Sequence, residues 1–237
     1  MGSRGVKFKF MTPYKALSDA RPYLVPPRYL GYFGATPTSF TYQENLVAQL
    51  YNSGAIPEPI IHIGPFKGSV VQINFGEKDE QRLIGTQISY SLPHRRSSNS
   101  RKRTPFWGFS EVGIQVGTIH LGKLDSVALE TKFNYTVVPL ATKKLLMETL
   151  GSREFPCDDR KKLPQVRLLF KEYYLEIPPL AFTIEVSSGR CKVFFEDSGD
   201  EPIAYLPLDF FSENQVILDY EHQRITAGNF LQQAFAF

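Results

Sequence analysis

One carboxylate in this sequence, Glu130, lies between two short apolar segments. Residues 127–129 and 136–138 are aliphatic or β-branched and predict two short strands. A carboxylate held between strands can take part in peptide hydrolysis when a second carboxylate shares a proton with it and holds a water between them. The chain offers at most one such group here, so Glu130 alone is not expected to catalyse this reaction.

The spacing of the other reactive side chains predicts no metal site and no cofactor. The histidines His62, His94, His120 and His222 are scattered and lack zinc-ligand spacing to either cysteine. The glycine-rich patterns of phosphate-binding and dinucleotide-binding loops are absent, as is the Gly-x-Ser-x-Gly pattern of serine hydrolases. Metal-assisted and cofactor-dependent reactions are therefore not expected.

Residues 94–103 form a basic, serine-rich segment. Besides His94, it contains five cationic residues: Arg95, Arg96, Arg101, Lys102 and Arg103. The simpler interpretation is a solvated loop. The alternative is an anion-binding site that contacts the phosphates of a nucleic acid or of an anionic lipid.

A strand-rich framework must position these groups. Alternating apolar residues predict antiparallel strands between residues 60 and 90 and, beyond them, over 106–119, 124–139, 165–186, 192–195 and 215–220. Helical spacing predicts a short helix at 45–51 that Gly54 ends, and a second at 141–150 that Gly151 ends. The second helix has an apolar face of Leu145, Leu146, Met147 and Leu150. We therefore expect a mainly β domain with two or three short helices.

The composition is typical of a folded protein. Aromatic residues make up 14% of the 237 residues, and the net charge is only +3. No apolar run reaches the roughly 18 residues of a transmembrane helix, and no secretory signal is visible. We expect an intracellular protein with Cys157 and Cys191 reduced in its core. A mitochondrial address is the alternative, because the N-terminus is basic and poor in acidic residues.

Residues 1–29 differ in character from the rest of the chain. They are basic, contain several prolines and follow no sustained period. We interpret them as an extended N-terminal arm that precedes a domain over residues 30–237. Such an arm is ordered only where a partner surface holds it.

Residues Asn134, Tyr135 and Thr136 form an N-glycosylation sequon. The sequon lies in a predicted strand, and no secretory signal accompanies it. We therefore expect Asn134 to be unmodified.

Several segments occur in the order found in pepsin-like aspartic proteases, and together they span residues 30–230. They comprise the segments 30–34, 34–50, 68–71, 105–108, 139–151, 163–170, 206–211 and 216–227. Glu130 to Phe133 stand where these enzymes have Asp-Thr-Gly-Thr or Asp-Ser-Gly-Thr. The chain therefore resembles the C-terminal lobe of a pepsin-like acid protease, a β-barrel lobe of antiparallel sheets, with a remnant of the preceding lobe.

The resemblance implies a degenerate site at Glu130, Lys132 and Phe133. Glu130 stands for the catalytic aspartate, and its extra methylene displaces the carboxylate by roughly 1.5 Å. Lys132 replaces a glycine that lets the loop pack tightly, and Phe133 removes a hydroxyl. The first lobe, with the second aspartate, has no counterpart. Cys157 and Cys191 match the positions of a family disulfide.

The favoured hypothesis is a catalytically inactive aspartic-protease-like domain that serves as a structural or interaction subunit of a larger, hetero-oligomeric protein assembly. A half-length domain exposes the face that met its missing lobe, and such a face requires other protein subunits. The loop at Glu130 then becomes a packing or interface element, with at most an ion pair between Glu130 and Lys132. Two alternatives remain: an aspartic endopeptidase active only with a partner chain, and a subunit that binds RNA or an anionic surface through residues 94–103.

Overall fold

The structure is a computed structural model. It describes residues 37, 45–65, 71–77, 88–91, 93–96, 103–171, 173–199 and 201–229. The predicted N-terminal arm, residues 1–29, lies outside this part of the chain. Within the described residues, no helix combines the length and the apolar character that crossing a membrane requires.

Two α-helices form where the sequence predicts them. Helix α1 covers Leu46–Asn52, and its first turn is capped by Asn45, whose Oδ1 accepts the N–H of Val47 at 2.9 Å. Helix α2 covers Leu140–Leu150 and ends at Gly151, whose φ of 82° favours glycine.

The predicted apolar face of α2 is only partly correct. Leu146 is fully buried and anchors the helix to the core, and Met147 and Leu150 are half-buried. Leu145 is exposed, because it lies one residue before Leu146 and therefore points about 100° away around the helix.

The described residues form seventeen strands, so the prediction of a mainly β fold is confirmed. In chain order they are β1 Ile60–Pro65, β2 Val71–Phe75, β3 Ile88–Ser91, β4 His94–Arg96, β5 Arg103–Pro105, β6 Gly108–Val116, β7 Ile119–Leu129, β8 Val137–Val138, β9 Phe155–Pro156, β10 Val166–Leu169, β11 Tyr174–Ile177, β12 Thr183–Ser187, β13 Arg190–Val193, β14 Glu196–Asp197, β15 Ile203–Leu206, β16 Asn214–Asp219 and β17 Arg224–Asn229. Three 3₁₀ helices lie at Cys157–Lys162, Pro179–Phe182 and Leu208–Ser212.

The largest sheet has seven strands in the order β11-β10-β6-β7-β15-β8-β14. Strands β6 and β7 form a long antiparallel hairpin that turns at Gly117, which has a φ of 56°. Strand β15 comes much later in the chain but inserts between β7 and β8. It runs parallel to β7 and antiparallel to β8. The sheet is therefore mixed, and its centre is made of segments that are distant in sequence.

The second sheet is antiparallel and has the order β2-β1-β16-β17-β3. Every residue of β1 is buried, and so are the first five residues of β16. Side chains alternate between the two faces of a strand, so both faces of this sheet are covered at its centre. The 3₁₀ helix Leu208–Ser212 packs against it through Phe210 and Phe211, which are buried.

Two smaller sheets complete the described fold. Strands β12, β13 and β9 form one, and β4 and β5 form a two-stranded hairpin. All four sheets are open in the part of the chain that the structure describes, so the expected β-barrel is wrong. A barrel requires the first and last strands of one sheet to pair, and here both ends of each sheet stop at an edge strand.

Candidate functional site

The segment around Glu130 begins at the end of β7, where that strand pairs with β15. Leu129 lies opposite Leu206 in the parallel register, and Ala128 opposite Tyr205. The pairing continues past the strand, because the N–H of Glu130 donates to the carbonyl oxygen of Leu206 at 3.0 Å. The backbone of Glu130 is thus fixed by a strand that follows it by more than seventy residues.

The residue just before β6 also bonds to this end of β7, on the side opposite β15. The N–H of Leu129 donates to the carbonyl oxygen of Trp107 at 2.8 Å. Gly108 follows Trp107, and a Cβ on it would lie 2.1 Å from the carbonyl oxygen of Val127. Only glycine allows this approach of β6 to β7.

The segment is also fixed where it returns to the sheet, at Thr136. This residue is fully buried, and its Oγ1 and N–H both donate to the carbonyl oxygen of Ala181, at 2.9 and 2.7 Å. The N–H of Glu196 donates to the carbonyl oxygen of Thr136 at 3.0 Å. We call residues 130–135 the Glu130 loop, a short surface loop with both ends fixed to the core.

The side chains of the Glu130 loop interact mainly with one another. Lys132 Nζ lies 3.5 Å from Glu130 Oε2, so the ion pair expected from the sequence is present. The two side chains are 55% and 37% exposed, which means that the pair faces water. Lys132 Nζ also lies 4.8 Å from the ring centroid of Phe133.

Phe133 packs into a small apolar cluster beneath the loop. Its ring centroid is 5.2 Å from that of Tyr205 on β15. The buried members of this cluster are Ala128, Val137, Ile203 and Tyr205, and Phe106 and Phe133 pack against them. The ring of Phe133 therefore fills the space beneath the loop.

This arrangement lacks the pair of carboxyl groups that acid peptide hydrolysis uses. Within the described residues, no hydrogen bond joins the carboxylate of Glu130 to a second carboxyl group. Its charged neighbour is an ammonium, and sharing a proton requires two acids at hydrogen-bonding distance. The three residues of the predicted degenerate site lie close together: Lys132 contacts both Glu130 and Phe133.

Removing the Glu130–Lys132 pair should change stability little. We expect Glu130→Gln and Lys132→Met each to lower the free energy of unfolding by less than about 1 kcal/mol, because exposed ion pairs are screened by water and salt. Urea denaturation of both variants beside the wild type measures this. A loss several times larger in either variant would mean that the pair holds the loop in place.

Three acidic residues that follow β13 have raised pKa values: Glu196 and Asp209 are half-buried, and Glu213 is more exposed. Burial raises the pKa of Asp209 above its ordinary value of 3.8, and nearby Arg160 opposes that shift. Burial and the charge of Glu176 raise the pKa of Glu213. Burial also raises the pKa of Glu196, against the effect of Lys143. All three carboxyl groups bind protons more tightly in the folded chain than in the unfolded one.

These raised pKa values predict that protonation of these three groups favours the folded chain. Their contribution is fully present below the ordinary values of 3.8 and 4.5 and is lost as the pH rises through the raised values. We expect Asp209→Asn with Glu213→Gln to stabilise the chain at neutral pH and to have no such effect at about pH 3, below both ordinary pKa values. Denaturation across this pH range checks the expectation, and a benefit that is equal at both ends would contradict it.

The structure does not bring the histidines into a metal site. His120 is exposed, and its Nδ1 accepts the N–H of Gly122 at 3.2 Å. His222 Nδ1 lies 2.9 Å from a carboxylate oxygen of Asp219. His62 is buried in β1. Among the described residues, no group of three or more His, Cys, Asp or Glu side chains is arranged to hold a metal ion.

The basic segment 94–103 is in part a β-hairpin. Its two ends are β4 and β5, which pair so that Arg95 lies opposite Thr104 and Arg96 opposite Arg103. Arg101 and Lys102 lie outside the described residues. The pairing of β4 with β5 thus brings the two basic ends of the segment together. Binding of phosphate by this segment stays a prediction.

The two cysteines are bonded to each other. Cys157 opens a 3₁₀ helix, Cys191 lies on β13, and their Cα atoms are 5.0 Å apart. Cys191 is fully buried. Of the two interpretations that the sequence allowed, reduced core thiols or the disulfide that the resemblance implies, the structure has the disulfide.

Sequence reasoning missed several residues that hold this region together. Gly108 allows β6 to approach β7 just before the Glu130 loop, and Thr136 fixes the end of the loop, but the sequence motifs that contain them did not reveal these roles. Asn214 is fully buried, and its Nδ2 donates to the carbonyl oxygens of Glu176 and Phe210, at 2.7 and 2.8 Å. The sequence around Asn214 is polar, Ser-Glu-Asn-Gln, so nothing in it distinguished this buried amide from its neighbours.

An open groove of about 660 Å³ lies at the end of α2, lined by Met147, Glu148, residues 150–155 and Val193. None of the site residues predicted from the sequence lines it. Its open form and mixed lining give no sign of a bound small molecule.

Comparison with known proteins provides no assignment. No protein-family model matches the chain, and no curated protein matches it significantly. The function must therefore be argued from the residues and their geometry.

Proposed function

We propose that this chain is a catalytically inactive, pepsin-like aspartic-protease domain that acts as a structural or interaction subunit of a larger protein assembly. One contact in the fold supports the resemblance to pepsin-like proteases. The Glu130 loop and the segment 206–211 each resemble a motif of that family, and they are joined by the 3.0 Å hydrogen bond between Glu130 and Leu206. Two segments that resembled the family's motifs only by chance would not be expected to lie side by side in the fold.

The contacts of Glu130 support an inactive site. The carboxylate pairs with Lys132, and the ring of Phe133 fills the space beneath the loop. Catalysis by a carboxyl pair requires a second acid and a held water at this place. An ammonium and an aromatic ring provide neither.

Exposed apolar side chains support a role in an assembly. Leu180 and Leu208 are exposed, and they lie on two 3₁₀ helices that contact each other, Pro179–Phe182 and Leu208–Ser212. Covering such side chains contributes about 25 cal/mol per Å² of apolar surface removed from water. We assign these two helices, the paired-helix surface, to the contact with a partner protein.

The size of the native protein tests this proposal. We expect the chain, isolated from its source without denaturation, to elute with another protein at fixed stoichiometry and at a mass above its own 27.0 kDa. Light scattering after size-exclusion chromatography measures that mass. Leu180→Ser with Leu208→Ser should release the 27.0 kDa monomer, because the variant removes the apolar contacts.

Glu148→Ser serves as the matched control, since Glu148 is an exposed polar residue on α2. It should leave the assembly intact. A soluble wild-type monomer with no protein at fixed stoichiometry would contradict the proposal. The proposal would also be contradicted if Leu180→Ser with Leu208→Ser and the control Glu148→Ser changed the mass equally.

A further inference from the structure

Asn134 belongs to the one Asn-x-Ser/Thr sequon in the sequence, and the fold presents it to solvent. The sequence predicted a strand at this position, and that prediction is wrong: Asn134 and Tyr135 form a bend before β8. Asn134 is exposed, and its side chain makes no hydrogen bond to the other described residues. A group attached to Asn134 Nδ2 would therefore break no bond of the fold.

The neighbours of Asn134 hold the bend in place. The ring of Tyr135 packs edge-to-face on that of Phe194, with centroids 5.2 Å apart. Phe133, on the other side, packs on Tyr205. Asn134 is thus an exposed residue between two anchored aromatic rings.

The disulfide between Cys157 and Cys191 is a second, independent observation. Its cysteines are 34 residues apart and close a loop that does not include Asn134. Protein disulfides form and persist in oxidising environments, chiefly along the secretory route. Attachment of N-linked glycans to sequons belongs to the same route.

We propose that Asn134 carries an N-linked glycan and that the chain matures in an oxidising secretory compartment. The sugar donor is a lipid-pyrophosphate-linked oligosaccharide. Asn134 Nδ2 attacks C1 of the first sugar, the bond between C1 and the phosphate oxygen breaks, and the lipid pyrophosphate leaves with the electron pair. The nitrogen loses one proton to a base of the transferring enzyme. This maturation replaces the intracellular location expected from the sequence, and it does not depend on the proposed function.

Thr136 determines when the modification takes place. In the folded chain its hydroxyl is fully buried and donates to the carbonyl oxygen of Ala181 at 2.9 Å. Recognition of a sequon requires this hydroxyl, so the folded loop is a poor acceptor. The glycan must be added before the loop closes, and folded chain isolated without a glycan should stay unmodified.

The position of the glycan also limits where partners bind. Asn134 lies two residues after Lys132, at the exposed side of the Glu130 loop. A glycan there covers the ion pair and obstructs any peptide that approaches the loop. Protein partners must therefore dock elsewhere on the domain.

Mass spectrometry of the chain isolated from its native source tests the proposal. Trypsin cleaves after Lys132 and Lys143 and releases residues 133–143. We expect this peptide without attached sugar only after treatment with an N-glycan amidase, which converts Asn134 to Asp and leaves the peptide heavier than the encoded one by the difference between Asp and Asn. Non-reducing digestion should yield the peptides of Cys157 and Cys191 joined. An unmodified Asn134 in the untreated protein would overturn the proposal, whether or not the cysteines are bonded.

Expression of the full chain through the secretory route of eukaryotic cells gives a second test. Asn134→Gln should abolish the gel shift that the amidase reverses, and Thr136→Ser should keep it, because serine preserves both the sequon and the hydroxyl donor. The Gln variant should fold normally, since the Asn134 side chain is exposed and makes no hydrogen bond to the other described residues. A shift that survives Asn134→Gln would contradict the assignment.

Discussion

Replacing Gly108 with alanine should destabilise the domain by about 3 kcal/mol or more, because the added Cβ meets backbone on the neighbouring strand. The contact distances would be 2.1 Å to the carbonyl oxygen of Val127 and 2.9 Å to Cα of Ala128. A flexible side chain could move away, whereas two backbone groups of β7 cannot. Strands β6 and β7 would have to separate, which would also disturb the pairing of β7 with β15 at Leu129 and Leu206.

Denaturation followed by the fluorescence of Trp107 measures this effect. Trp107 is the only tryptophan in the sequence and is buried next to Gly108. Ser110→Ala is the matched control, since Ser110 lies on the same strand and is exposed. A Gly108→Ala variant as stable as Ser110→Ala would mean that β6 and β7 lie farther apart than described.

Removing the disulfide should lower the free energy of unfolding by about 3–4 kcal/mol, because the bond closes a long loop and limits the unfolded chain. Cys157 and Cys191 are separated by 34 residues. The double substitution Cys157→Ala with Cys191→Ala tests this by urea denaturation. Some further loss comes from the cavity at Cys191, which is fully buried.

A reducing agent provides the control for this second prediction. It should destabilise the wild type toward the level of the double variant and leave the double variant unchanged. Equal stability of wild type and variant without a reducing agent would contradict the prediction. A reducing agent that affects both proteins alike would point to some other cause.

Local signals made both helices predictable. Asn45 caps α1, and Gly54 and Gly151 follow the two helices with positive φ values. These residues act within one turn of the helix that they begin or end, so their effect can be predicted without knowledge of the fold. Strand β10, whose residues alternate between buried and half-buried, was predictable from its own periodicity.

Strand β15 was not predictable from its own residues. It covers only Ile203–Leu206, lies between two prolines, and is buried at every position. Its identity as a strand depends on β7 and β8, between which it pairs. Pairing partners so distant in sequence leave no periodicity in the residues themselves.

The contact between neighbouring residues of the Glu130 loop was predictable from the sequence, but the contacts of the loop with distant strands were not. The ion pair with Lys132 follows from their closeness in the chain, and the structure confirms it. The placement of Phe133 against Tyr205 depends on where β15 inserts. The bend at Asn134 depends on the packing of Tyr135 on Phe194. Both involve partners more than fifty residues away in sequence.

A cleavage assay at acid pH tests the central claim, that this domain retains a protease-like loop without its chemistry. The full chain should release no new amino termini from an unfolded protein substrate above the rate in buffer, and Glu130→Gln should change nothing. Glu130→Asp with Lys132→Gly should be equally inactive, because it restores only one carboxyl group of the required pair. Turnover by the wild type that disappears in Glu130→Gln would contradict the account.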